Sequence, residues 1–236
     1  MRISHYHISG IDIYVGDFDG ACPDTLSPSQ KEDVATLASD KRRRERTVVY
    51  ALINHAAVDS PERYGAIAGM PLCHFANGAP YFNSPDGQQS EIGISVSHCH
   101  SGACIAVSSS AKHFGIDIED QSPKLERVKS RYIGDSEAIF IGAERLLPAW
   151  TIKEAAYKAA GIAGLSLRDG IIISEIAEVA ADFSLEATVA INAGATTSGA
   201  TIGRAGTALR CHIRREASRC IALAVSDGQE RITKNS

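Results

Sequence analysis

The sequence predicts an α+β fold built as two similar halves. Three observations carry this. The chain has 236 residues, enough for one large domain or two small ones. Its strand-like runs fall into two sets, one before and one after a helical middle region. The apolar run Cys104-Ile105-Ala106-Val107 is echoed by Cys220-Ile221-Ala222-Leu223-Ala224-Val225, which suggests one plan repeated in halves of roughly 110 residues, a usual domain size. No low-complexity linker separates the halves, so tight packing is expected.

Taken in order, Ile3 to Val15 reads as one strand, with Ile11, Ile13 and Val15 alternating. Ser27 is a candidate N-cap, with Pro28 at the first helical position and Glu32 in the early turns, for a helix running towards Asp40. The basic segment Lys41 to Arg46 then leads into Thr47-Val48-Val49-Tyr50-Ala51-Leu52-Ile53, and on charge alone it reads as a solvated face. Gly69 to Gly87 carries Pro71, Pro80 and Pro85 and is expected to be mostly loop. Ile92 to Ser97 and Ala103 to Val107 flank a hairpin-length connection, and His113 to Glu119 alternates again. Gly170 to Ile173, Leu185 to Ile191 and Arg219 to Val225 complete the expected strands.

Composition narrows the function classes. Apolar residues at 44% and charged residues at 22% exclude collagenous, fibrous and disordered chains. A formal charge of −4 gives no global basic field, so nucleic acid is not an expected partner. No apolar run approaches the ~18 residues of a membrane span. The stretch from Met1 to Val15 is interrupted by His5, His7, Gly10 and Asp12 before any signal-peptide core can form, and a cytoplasmic location is expected. The cysteines at 22, 73, 99, 104, 211 and 220 form no Cys-x-x-Cys pair and are expected to be reduced. His98-Cys99-His100 with Cys104 lacks the second ligand pair that a zinc site needs.

Two constellations could carry chemistry. Gly115-Ile116-Asp117-Ile118-Glu119 places two carboxylates at i and i+2 on one face of a strand. Side by side they raise one another's pKa unless a cation lies between them, and oxygen ligands suit Mg²⁺; the alternative is a strand with one solvated acidic face. Trp150 to Gly161 reads as an alanine-rich helix ending at Gly161, with Glu154 and Lys158 on one face. Taken alone, that pair could equally be a surface ion pair of ~0.3–0.5 kcal/mol.

Gly-Ile-Asp-Ile-Glu at 115–119 followed by Trp-Thr-x-Lys-Glu-Ala-x-x-Lys at 150–158 resembles the paired signature of the 4′-phosphopantetheinyl transferases. Ser95-Val96-Ser97-His98 is similar to the Ser-His motif of the longer, surfactin-synthetase-activator branch, and Arg46-Thr47 to its phosphate-holding arginine. The likeness spans roughly residues 26 to 165 on those motifs. It departs at Asn77-Gly78-Ala79-Pro80, where the family often has Gly-Lys-Pro, and Lys31 matches a phosphate-contacting lysine only approximately. The resemblance implies two lobes in pseudo-twofold arrangement, each a small antiparallel sheet with a packed helix. Residues 1–112 would form the nucleotide-side lobe and residues 113–236 the metal-side lobe.

By the same resemblance the donor is coenzyme A (CoA), the acceptor is a serine of an apo carrier protein, and 3′,5′-ADP leaves. Asp117, Glu119 and Glu154 would hold Mg²⁺, or Mn²⁺ in its place. Glu154 is the candidate base, with Asp117 and Lys158 also catalytic. Lys158 and Lys153 are the expected diphosphate cations. Arg46, Ser97 and His98 would hold the nucleotide phosphates, with Gly78 and Pro80 along the adenine. The carrier would dock between the lobes, steered by Lys124, Arg127, Lys129 and Arg131. An active monomer is expected, since one chain carries both sets of motifs. A CoA-binding module without activity and a metal-dependent phosphoesterase are the alternatives. The roles of Cys99 and His100 stay open.

Overall fold

The computed structural model describes residues 1–18, 25–83, 87–111, 113–194 and 207–226. It is α+β, with antiparallel pairing in each sheet, and it divides into two compact units, Met1–Lys112 and His113–Ser236.

In the first unit, the single strand expected over Ile3 to Val15 is a hairpin of β1 (Ile3–Ile8) and β2 (Ile11–Asp17). Ser9 and Gly10 both take positive φ, 52° and 74°, the backbone that a tight two-residue turn requires. Helix α1 (Pro28–Thr36) starts at the Ser27 cap as expected, but the reciprocal bond comes from Gln30 and not Glu32. It ends at Thr36, short of Asp40. A new helix, α2 (Asp40–Asp59), begins under Ser39, whose Oγ accepts from the Arg42 amide. The basic run forms its first turns. Later turns bury Val48, Val49, Leu52 and Ile53 against the sheet.

Helix α3 (Pro61–Tyr64) follows. Within the expected loop, β3 (Cys73–His74) and β4 (Pro80–Tyr81) form a small hairpin. Strands β5 (Gly93–His98) and β6 (Gly102–Ser108) complete a sheet of order β1-β2-β6-β5.

The second unit holds β7 (Phe114–Asp120), α4 (Lys124–Arg127), α5 (Leu146–Ala160), β8 (Ile171–Glu178), β9 (Leu185–Ile191), β10 (Thr207–Arg215) and β11 (Arg219–Ser226). Its sheet order is β7-β11-β10-β9-β8. Strand β10 was absent from the expectations, although Leu209, Cys211 and Ile213 alternate inward along it. The two echoing runs lie in β6 and β11, each an inner strand packed beneath its own unit's long helix. Helix α5 lies across β7 and β11, and Ala149, Ile152, Ala155, Ala156 and Ala159 enter the core.

Cys73, Cys99, Cys104, Cys211 and Cys220 are not joined in disulfides; Cys22 lies outside the described residues. No helix among the described residues is long and apolar enough to cross a membrane.

Candidate functional site

The site is built on a close approach between β7 and α5. A Cβ on Gly115 would collide with the Ala155 carbonyl oxygen and lie 2.6 Å from the Ala159 nitrogen and 2.8 Å from Lys158 Cβ. Only hydrogen fits there, which explains the glycine that opens the acidic motif. That approach lets Lys158 Nζ donate to the Ile116 carbonyl at 2.9 Å and to Asp117 Oδ1 at 2.7 Å. Ile116 and Ile118 are fully buried, as alternation requires, but Asp117 is itself only 3% exposed. The acidic face of β7 is therefore not simply a solvated one. Asp117 is a buried carboxylate held by an ammonium.

Two further carboxylates respond to Asp117. Glu119, two residues along, accepts from Trp150 Nε1 at 3.1 Å. Burial, then repulsion from Asp117, raises its pKa. On α5, burial first and the charge of Asp117 next push the Glu154 carboxyl up to about 7, against the pull of Lys158. Desolvation and like charge act in the same direction here. The donor set, Asp117 with two carboxyls that burial and its charge push upward, suits a hard divalent cation in chemistry and in charge. It is not preassembled: no group of three or more His, Cys, Asp or Glu side chains among the described residues could hold a metal ion as it stands.

Lys153 requires a correction. Expected to meet a diphosphate, it is fully buried and donates to Glu137 Oε2 at 2.8 Å, the Leu167 carbonyl at 2.8 Å and the Ile171 carbonyl at 2.6 Å. An ammonium has three protons to donate, and all are used. Burial draws its pKa below that of an ordinary lysine, against the pull of Glu137. Lys153 is a structural clamp. Its partner Glu137 was missed because it lies in a loop outside both motifs.

In the first unit, Arg46 pairs with Asp33 Oδ2 at 3.2 Å and lies 5.7 Å over the Tyr50 ring. Burial, then the positive charge of Arg46, lowers the pKa of His74 on β3. Ser97 is buried near the end of β5, and His98, the next residue, is half exposed with Nδ1 3.5 Å from Glu45 Oε1. Gly78 takes φ 84° in the turn between β3 and β4, where the Phe75 amide donates to the Ala79 carbonyl and the Gly78 amide to the Phe75 carbonyl, and no atom lies within 4 Å of a would-be Cβ. Pro80 opens β4, and Phe75 stacks on Tyr81 with ring centroids 4.3 Å apart. Ala79 donates its amide to Asn77 Oδ1.

Lys31 is exposed on α1. Cys99 is buried in the β5–β6 turn, its amide bonded to the Gly102 carbonyl, and His100 is exposed. Lys124 and Arg127 on α4 are exposed, as is Arg131, while Lys129 is half-buried.

No family model matches the chain, and no curated protein matches it.

Proposed function

We propose that the protein transfers 4′-phosphopantetheine from CoA to a serine hydroxyl of an apo carrier protein, releasing 3′,5′-ADP. The reading rests on one observation: Lys158 on α5 is bonded to Asp117 on β7, and the Glu154 carboxyl, one helical turn from Lys158, is raised to about 7.

The reaction needs a base for the serine proton and positive charge at the diphosphate. A carboxyl raised above the ordinary glutamate range is basic enough to take that proton. The serine oxygen forms a bond to the phosphopantetheine phosphorus as the bond from that phosphorus to the bridging oxygen breaks. The electron pair leaves on 3′,5′-ADP, and the proton resides on Glu154. Lys158, with one N–H beyond the two it donates, supplies charge to the departing phosphate. Mg²⁺, or Mn²⁺ in its place, would be held by Asp117, Glu119 and Glu154 and would neutralise the diphosphate and polarise the attacked phosphorus. Arg46, Ser97 and His98 would take the nucleotide phosphates, and Gly78 and Pro80 the adenine. Lys124, Arg127, Lys129 and Arg131 are the basic side chains offered to an acidic carrier. In this reading the two units are the two lobes of a transferase, active as a monomer in the cytoplasm.

The test is intact-mass measurement of apo acyl and apo peptidyl carriers after incubation with the protein, Mg²⁺ and CoA. Gain of the phosphopantetheine mass on the carrier supports transfer. Release of phosphopantetheine to water supports a phosphoesterase, and retention of intact CoA by the protein a binding module.

A further inference from the structure

Outside the β7–α5 cluster, α2 carries a buried carboxylate with no assigned role. Glu45 is 7% exposed, and its Oε1 accepts no hydrogen bond. It is the one acid in a run of Lys41, Arg42, Arg43, Arg44 and Arg46. Three of the four neighbouring arginines make other contacts: Arg43 with the Leu37 carbonyl and Asp40, Arg44 over the Phe18 ring, and Arg46 with Asp33. Among the described residues, two cationic groups approach Glu45 Oε1. Lys41 Nζ is 3.7 Å away on a side chain 81% exposed, and His98 Nδ1 is 3.5 Å away. A solvated lysine one turn along the helix does little for a buried oxygen. The imidazole is the partner within reach.

We propose that Glu45 is a positioning residue for His98. Its Oε1 accepts a hydrogen bond from Nδ1–H once the two close by a few tenths of an ångström, which fixes the tautomer and the rotation of the ring. Nε2 is then the nitrogen presented to a phosphate of the nucleotide, and it donates to that anion when the ring carries both protons. The inference deepens the proposed function and rests on it, because His98 as a phosphate ligand belongs to that reading.

The sign of one substitution distinguishes this role from simple charge. A carboxylate near an anion site that acted only through its field would repel the ligand, and its removal would tighten binding. A carboxylate that acts by holding His98 does the opposite. Isothermal titration of the full chain with 3′,5′-ADP should show Glu45→Met weakening binding about tenfold, the scale typical of a partner that orients a ligating histidine. Glu45→Met should add nothing on top of His98→Ala in a double-mutant cycle. The ¹⁵N spectrum of the His98 ring should show a protonated Nδ1 in wild type and a redistribution towards Nε2 in Glu45→Met. Glu45→Gln, which preserves shape and a carbonyl acceptor, should fall between them and guards against loss through misfolding. Unchanged or tighter binding by Glu45→Met, or an unchanged ring spectrum, overturns the inference. Failure of wild type to bind 3′,5′-ADP overturns the proposed function instead, and the ring spectrum then decides the Glu45–His98 relationship alone.

Discussion

Lys153 Nζ and Glu137 Oε2 lie 2.8 Å apart, and both side chains are fully withdrawn from solvent. Glu137 also accepts from the Gly134 and Ile173 amides, each at 2.8 Å. One ion pair thus ties the middle of α5 to the loop before it and to the start of β8. Removing one member of a buried pair strands the other charge, so Lys153→Met should lower stability by roughly 3–5 kcal/mol. Urea denaturation monitored by circular dichroism measures this. The double variant Glu137→Leu with Lys153→Met should recover part of the loss. Recovery will be incomplete, because two backbone amides lose their acceptor.

Gly115→Ala should damage site and fold together. The added methyl meets backbone atoms of Ala155 and Ala159, so α5 must move, at a cost of about 1–3 kcal/mol for overpacking. Because Lys158 travels with the helix, its bond to Asp117 lengthens. The expected result is a lower melting temperature and a transfer rate reduced well beyond what the remaining folded fraction explains. Wild-type turnover by Gly115→Ala would show that the approach of helix and strand does not set the chemistry.

The carboxylates and Lys158 were legible because their spacing is local: i and i+2 on a strand and i, i+4 on a helix determine a face whatever surrounds them. Lys153 misled because it adjoins Glu154 but projects about 100° round the helix, towards a partner no motif contains. Glu45 was masked by the basic run in which it sits, and His98, the side chain that approaches it, is distant in sequence. The Ser9-Gly10 turn and the Ser39 cap were written locally, in a Ser-Gly pair and a Ser-Asp pair, yet longer apolar and charged patterns overrode them. β10 carried an alternation as clear as that of β9.

Glu154→Gln should abolish transfer while leaving affinity for 3′,5′-ADP within about threefold, since the amide cannot accept the serine proton but keeps its size. Asp117→Ala should lose activity together with any stabilisation of the protein by Mg²⁺, and Glu119→Ala should behave similarly. Carrier mass spectrometry paired with thermal melts across a Mg²⁺ series reads both effects. Activity in Asp117→Ala that still titrates with Mg²⁺ would place the metal elsewhere.

Acid stability should depend on Asp12, which is fully buried on β2. Burial alone would raise its carboxyl. Hydrogen bonds from Tyr64, His7 and His5 and the charge of Arg63 outweigh that and hold it below 3.8. With the folded value lower, the unfolded chain binds the extra proton first. The stabilisation is therefore full above the unfolded value and is lost as pH falls through the folded one. In Asp12→Asn the stability curve should flatten below pH ~4 relative to wild type, measured by urea midpoints across an acid series.

The seam beneath the candidate site is lined by Gly115, Ala155, Ala156, Ala159, Ala222 and Ala224, with Ala222 paired to Asp117 and Ala224 to Gly115 across β7 and β11. A joint made of such small groups has no slack to absorb sequence drift. Exposed positions along β8 and β9 can change with little more than local adjustment, whereas a single extra carbon in the seam moves a whole helix and carries Glu154 and Lys158 with it. The latitude for retuning this protein lies on its outer strands, and its rigidity is inherited from the atoms it leaves out.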